Sequence, residues 1–514
     1  LDIHKYIWLR IEKFFVMFTE KLRRTQNAEE IPSPFWKILH MTMSNASRYH
    51  IQNASLDIAS LNVDYDLSDI EKLVKGDDSG FTWLRLLLYR FGCMEGFSLM
   101  KQFFEKNVDI NTPIASIIEW LSPFASSVLF LKPEVIADSF HHVLVVSLKH
   151  LKQVDVKSLK CESVKGDLHD SPYMALPRLL RLFLIAIPEM TSETKELVFF
   201  GLRYVLKVLQ VASFAGRIAA LEEVHSTLLN APCDLIIPQK DADTTLNELA
   251  VWLREQSFLE ILFRDNLHQL SFCERIERIL RVLLASNTVT THELDIIWNA
   301  QKGKHDAIQR NLHDLIAKLI NSFSNELQEQ LFALMKGSWN DSSPRERTLL
   351  LDLIRRIGID FSTTFEKNLT LKSLALLWDL FRDEKLPTEV GEAALEAHFT
   401  VLESLGRPDT LFRQYINKCI GELLANSVFV LPTLNHMQKI FRLIPESSFG
   451  IQSKALRNDF IAAVERDTDL CASLTYNVSL YMEKVREAVG TSPQKWVEAE
   501  SGELKLDGRY THEE

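Results

Sequence analysis

The sequence predicts an all-α chain, an armadillo/HEAT-like α-solenoid of stacked helical hairpins. Three observations carry this: a pervasive 3.6-residue hydrophobic period, scarce glycine and proline, and a long regular spacing in the C-terminal half. The segment from Asp306 to Ile320 illustrates the period, with Ile308, Leu312, Leu315, Ile316 and Leu319 on one stripe and Gln309, Arg310 and Lys318 off it. Similar stripes run through 3–24, 112–126, 133–152, 174–188, 191–213, 269–285, 344–357, 371–383, 389–404, 407–424, 430–443 and 467–487. Short breakers separate them, among them Ser33-Pro34, Ser343-Pro344, Pro387, Gly406-Arg407-Pro408 and Leu431-Pro432. Several place Ser, Thr or Asp ahead of a helix and Pro in its first turn, where the missing N–H breaks no helical hydrogen bond.

From residue 290 onward the helices pair. Second members are expected to start near Lys304, Pro344, Thr388 and Phe429 or Val430, steps of roughly 40–44 residues, the repeat length of HEAT and armadillo units. Such a hairpin cannot cover its own apolar surface, and stacking buries it. This explains how 514 residues can form an extended core where a length prior suggests about three separate domains. The expected organisation is an N-terminal helical block over 1–231, a connecting loop at 232–243, a C-terminal repeat block over 244–489 and a flexible tail at 490–514. Two further irregular segments are expected: a surface loop over 154–171 and a turn at Gly76–Gly80.

Composition sets further bounds. The 17 Gly and 16 Pro fall well below the average of about 7% and 5%, which disfavours turn-rich β folds and Gly-looped dinucleotide enzymes. A net charge of -11 argues against nonspecific nucleic-acid binding, which depends on phosphate neutralisation. The six cysteines at 93, 161, 233, 273, 419 and 471 are too scattered for a zinc ribbon or redox pair and suit a reducing compartment. The longest apolar runs, such as Ser127–Leu131, are far below the roughly 20 residues of a membrane span. The start at Leu1 shows neither Met nor a signal-peptide h-region, and suggests a piece of a longer intracellular protein.

No catalytic constellation emerges, and no cofactor, metal or catalytic residue is expected. Phosphate-loop, dinucleotide, nucleophile-elbow and HExxH motifs are absent from the sequence. His305 and His313 lie eight residues apart, about 12 Å along a helix and on different sides of it, so they cannot share a metal. His141 and His142 point to different faces. His268 and Cys273 lack an orienting acid, and Trp252, Trp298, Trp339 and Trp378 suit core packing. Arg275, Arg278 and Arg281 form a basic edge interleaved with Glu274 and Glu277. Local ion pairing is its default role, and a groove for an acidic peptide is the functional alternative; these three arginines are the candidate protein-binding residues.

Several longer words are distinctive: Trp252–Gln269, Cys273–Arg281, Leu294-Asp-Ile-Ile-Trp-Asn-Ala-Gln-Lys-Gly-Lys-His-Asp306, Asn311–Leu319, Leu353–Ile357, Leu376–Trp378 and Ala394–His398. Together, over about residues 250–400, they resemble the helical region preceding the catalytic domain of the giant fat-facets-like ubiquitin-specific proteases. The resemblance implies a parent cysteine deubiquitinase, while this chain lacks that family's Cys and His boxes. Cys93, in Phe91-Gly-Cys-Met-Glu-Gly96, comes nearest by composition but lacks the Asn and following aromatic. The expected role is therefore a noncatalytic scaffold, cytoplasmic or also nuclear. Its expected partners are substrates, adaptors, the parent's catalytic domain or ubiquitin, without nucleic acid or membrane insertion. A stand-alone helical-repeat adaptor is the alternative.

Overall fold

The computed structural model describes residues 2–48, 82–156, 168, 171–190, 192–230, 242–362, 368–383, 387–405, 409–425, 427–443 and 451–500. Their regular elements are α-helices and short 3-10 turns, grouped in two compact units, Leu1–Thr288 and Val289–Glu514. The turn at 76–80, most of the 154–171 segment and nearly all of 232–243 lie outside the described residues. In the expected tail, Pro493–Glu500 is helical, and 501–514 lie outside the description.

The first unit contains α1 (Asp2–Arg24), α2 (Ser33–Arg48), α3 (Thr82–Cys93), α4 (Gly96–Asn107), α5 (Ile114–Leu121) and α6 (Pro133–Gln153). It continues through α7 (Pro172–Ile185), α8 (Ser192–Val211), α9 (Phe214–Leu229), α10 (Ala242–Glu255), α11 (Phe258–Leu262) and α12 (Leu270–Ala285). Helix α4 packs on α1 and α6, α7 on α5 and α8, and α9 on α8 and α12. Phenylalanine fills much of this interior. Ring contacts run from Phe15 on α1 to Phe91 on α3 (5.5 Å), then to Phe124 (5.7 Å), Phe140 on α6 (5.2 Å) and Phe183 on α7 (5.1 Å). Tilted and edge-on pairs of this kind add about 0.5–1.5 kcal/mol each beyond the area they bury. Phe91 and Gly96 of the Phe91–Gly96 word are part of this core, while Cys93 is exposed: a Cβ on Gly96 would meet the Phe91 ring at 2.5 Å, so glycine lets α4 turn in beneath it.

The second unit shows the predicted period directly. Its helices are α13 (Thr291–Asn299), α14 (Asp306–Leu319), α15 (Asn325–Trp339), α16 (Pro344–Asp360), α17 (Asn368–Phe381) and α18 (Thr388–Ser404). They are followed by α19 (Asp409–Leu424), α20 (Val430–Leu443), α21 (Ile451–Thr468), α22 (Leu470–Val489) and α23 (Pro493–Glu500). The observed starts of α14, α16, α18 and α20 agree with the expected second members. These four stack in one layer, each on the next, while α13, α15 and α17 stack in another. Ser343 caps α16 as expected: its Oγ accepts from Glu346 N, Glu346 reaches back to Ser343 N, and Pro344 follows. Ion pairs join equivalent helices of successive repeats, Lys336 to Asp379 at 2.9 Å, Lys439 to Glu396 at 2.6 Å, and Arg356 to Asp314, all 42 or 43 residues apart. Being largely exposed, each is worth at most about 1 kcal/mol. They report the register; burial of Leu312, Ile316, Leu353, Ile354, Ile357, Val401 and Leu402 holds it.

Helices of this stack approach closely at Gly358, where a Cβ would meet Val401 methyls at 2.7 and 2.8 Å and Ser373 Cβ at 3.2 Å. Thr370 Oγ1 donates to the Gly358 carbonyl at 3.0 Å across the same contact. Gly337 on α15 has open space where its Cβ would be. Opposite effects on stability are expected from alanine at the two positions. Gly358→Ala should lose about 1–3 kcal/mol through overpacking, while Gly337→Ala should gain about 0.5–1 kcal/mol from helix propensity. Urea unfolding followed by tryptophan fluorescence tests the pair; equal shifts would contradict the close approach.

Candidate functional site

The basic edge of α12 is engaged within its own unit. Arg275 Nε lies 2.9 Å from a Glu222 carboxylate oxygen on α9, close but not aligned as a hydrogen bond, and Arg278 Nη1 lies 3.7 Å from the same oxygen. Arg281 donates to Glu277 at 2.8 Å, one turn away. Two guanidiniums thus share one carboxylate, and Arg278, at the longer distance, is the more exposed of the two.

The other singled-out residues take structural positions. His305 is the exposed N-cap of α14, its Nδ1 accepting from Ala307 N. His142 contacts the Val108 carbonyl at 3.0 Å, and its neighbour His141 is exposed. Cys273 is buried with its thiol directed at Leu267 O, whereas His268 is solvent-exposed. Trp298, Trp339 and Trp378 are buried as expected, and Trp252 is half-buried against Phe199. Among the described residues no group of three or more His, Cys, Asp or Glu side chains could hold a metal ion.

The distinctive Leu294–Leu319 block forms one wall of an open cleft of about 510 Å³ in the second unit. Trp298 stacks parallel to His313 at 6.0 Å and donates its indole N–H to Ser338 Oγ at 2.9 Å. His313 donates Nε2–H to the Gln301 carboxamide oxygen at 2.9 Å, and Gln309 donates to Glu346 at 3.1 Å. Asp341, Lys302 and Gly337 line the mouth. A second groove, about 620 Å³, runs between α18 and α20, with Glu389, Glu392 and Glu396 on one side and Lys439 and Arg442 on the other. The α18–α20 groove is a furrow between neighbouring helices of one layer, whereas the cleft lies among α13, α14, α15 and α16 of both layers and reaches the buried Trp298, Gln309 and His313. Such furrows suit extended polypeptide segments.

The UBP24/USP9X/USP9Y ARM repeat matches residues 195–514. The chain belongs to this family. The mouse ubiquitin carboxyl-terminal hydrolase 9X is 29% identical over 93% of the chain and 19% of the relative's length. The Drosophila probable ubiquitin carboxyl-terminal hydrolase FAF is 29% identical over 84% of the chain and 17% of the relative. The human ubiquitin carboxyl-terminal hydrolase 24 is 24% identical over the whole chain and again 19% of the relative. The chain thus spans about a fifth or less of the curated relatives it matches. The match reaches well beyond the words of residues 250–400, into the N-terminal helices.

Sequence reasoning missed one polar pair at the centre of this family region. His398 on α18 and His436 on α20 are buried with Nδ1 and Nε2 3.0 Å apart, edge-on to one another, and the Tyr415 ring lies 4.3 Å from His398. Their separation of 38 residues, close to one repeat, was the available signal. Burial drives both toward the neutral form, with the partner ring and Lys418 adding for His398 and Lys439 adding for His436, whose pKa falls to about 3. Burial likewise lowers His313 to about 4, against the opposing Asp314 and Asp352 charges. These groups bind protons in the unfolded chain near pH 6.5 but not in the folded one. Their folded form is therefore unpenalised above that pH and loses stability below it, down toward the folded values of about 4 and 3. The expected limiting slope is about 1.4 kcal/mol per pH unit for each of His313 and His436 between pH 6.5 and their folded values, with His398 acting in the same direction. Denaturant midpoints at pH 7.5 and 5 measure it, and the double change His398→Leu/His436→Leu should flatten the dependence; an unchanged slope would contradict neutral burial.

Proposed function

We propose that this chain is a noncatalytic scaffold within a large cysteine deubiquitinase, holding substrates, adaptors or the parent's own catalytic domain on its stacked-helix surface. The carrying observation is the match of the ARM repeat over residues 195–514, in a chain whose relatives are named ubiquitin carboxyl-terminal hydrolases. Its helical furrows support protein recognition, and the Arg275, Arg278 and Arg281 edge is a second surface for an acidic partner. Tethering of this kind raises the effective concentration of a substrate near a distant active site without new chemistry. No helix among the described residues is long and apolar enough to cross a membrane, in keeping with a cytoplasmic or also nuclear setting.

Incubation with a ubiquitin probe carrying a C-terminal thiol-reactive group should leave Cys93, Cys273, Cys419 and Cys471 unlabelled by mass spectrometry, and a fluorogenic ubiquitin amide should not be hydrolysed. Cysteine-dependent labelling or turnover would overturn the noncatalytic reading. In cross-linking of the intact parent, contacts are expected from the α18–α20 groove or the Leu294–Leu319 cleft to other polypeptides; cross-links confined to the repeat region itself would count against recruitment.

A further inference from the structure

The first unit holds a shielded guanidinium nitrogen without a hydrogen-bond partner among the described residues. Arg181 on α7 is directed into a small cleft between α7, α8 and α9, where its Nε is shielded from water and has no hydrogen-bond partner. The neighbouring acid, Glu223 on α9, is already engaged by Arg178, one turn before Arg181. Among the described residues, Arg178, Arg181 and Glu223 are the charged groups that line the cleft. Burial disfavours the Arg181 charge and the adjacent Arg178 adds to the penalty. A guanidinium cannot escape this by losing its proton at neutral pH, and a shielded donor without an acceptor is destabilising. The cleft is small, about 30 Å³, on the scale of a carboxylate head group, and beside it a Cβ on Gly201 would meet only the Met174 terminal methyl, at 4.0 Å. Thr227, another lining residue, carries a hydroxyl donor.

We propose that this cleft is a carboxylate pocket, in which Arg181 receives an aspartate or glutamate side chain from an acidic segment of a protein partner. The occupant follows from charge complementarity. A planar carboxylate matches the forked donors of a guanidinium, and in a shielded cleft such a pair is stronger than at an open surface. Specificity would be local, because the net charge of -11 repels acidic peptides from the chain as a whole. This inference deepens the recruiting role proposed above and rests on it for its biological meaning.

The test uses the full 514-residue chain and a fluorescein-labelled hepta-glutamate peptide, with hepta-glutamine as its control, read by fluorescence anisotropy. The glutamate peptide should bind and the glutamine peptide should not. Arg181→Met, which keeps the apolar stem, should weaken binding about tenfold. Gly201→Leu should weaken it comparably by filling the cleft with Arg181 left in place, so the outcome does not depend on one variant folding. Lys101→Ala, a surface cation of α4 paired with Asp138 and outside both proposed surfaces, should leave it unchanged. The peptide should also raise the melting temperature of the wild type but not of Arg181→Met. Equal affinity of wild type and Arg181→Met, or no preference for glutamate over glutamine, would overturn the pocket. That failure would leave the noncatalytic reading standing, and ubiquitin-probe turnover would overturn that reading without altering the peptide result.

Discussion

A helical hairpin with apolar residues on two sides has only one way to bury both, which is to lie between two neighbours. That constraint organises the second unit. Helix α17 buries Leu369, Leu374, Leu376, Leu377, Trp378, Leu380 and Phe381, too many directions for a single contact, and it packs on α15, α16 and α18. The layer formed by α14, α16, α18 and α20 is the other half of the same solution. Close stacking then dictates glycine at 358, and the furrows left between successive helices become the grooves available to partners. The interaction surface is thus a by-product of the way the core is closed.

The same constraint explains which parts of the fold were legible. Starts at Pro344, Thr388 and Val430 could be placed because capping residues and proline mark them and because the repeat spacing fixes the interval. Breaks without such marks were blurred. The stripe expected over 467–487 ran across Asp469, where the chain bends with φ of 50° between α21 and α22. Glu95 and Ser257 turn other corners in the left-handed region, with φ of 59° and 52°. Glycine is the usual residue there, and Asp, Glu and Ser carry no comparable signal. Helix α21 adds a second reason, since Phe460 and Val464 are its buried hydrophobic residues among those described, too few to print a stripe.

Candidate sites were less legible because charge partners come from distant sequence. The arginines of α12 stand out by their spacing, yet Glu222, which two of them contact, belongs to α9. Arg181 shows the reverse. In Leu-Leu-Arg-Leu-Phe it resembles any polar residue on an amphipathic helix, and only the packing of α7, α8 and α9 reveals that its Nε faces no acceptor. The histidine pair at 398 and 436 was divided in the same way, one member lying inside a distinctive word and the other outside it.

Polar seams recur where successive repeats of the second unit meet. Trp298 reaches Ser338, Gln309 reaches Glu346, Thr370 reaches the Gly358 carbonyl, and His398 meets His436. Apolar contact alone is tolerant of sliding, because a leucine finds a similar environment one turn along a neighbouring helix. A directional hydrogen bond between buried groups, as at Thr370–Gly358 and His398–His436, has one acceptable geometry, and a slipped register would leave both partners unsatisfied at about 1–3 kcal/mol each. In a solenoid a small slip at one interface is carried into every later repeat, so a few such bonds fix the placement of a furrow far along the chain. That placement matters for a surface whose proposed work is to hold a partner at a set position, and it gives these polar pairs a role that their modest contribution to stability would not.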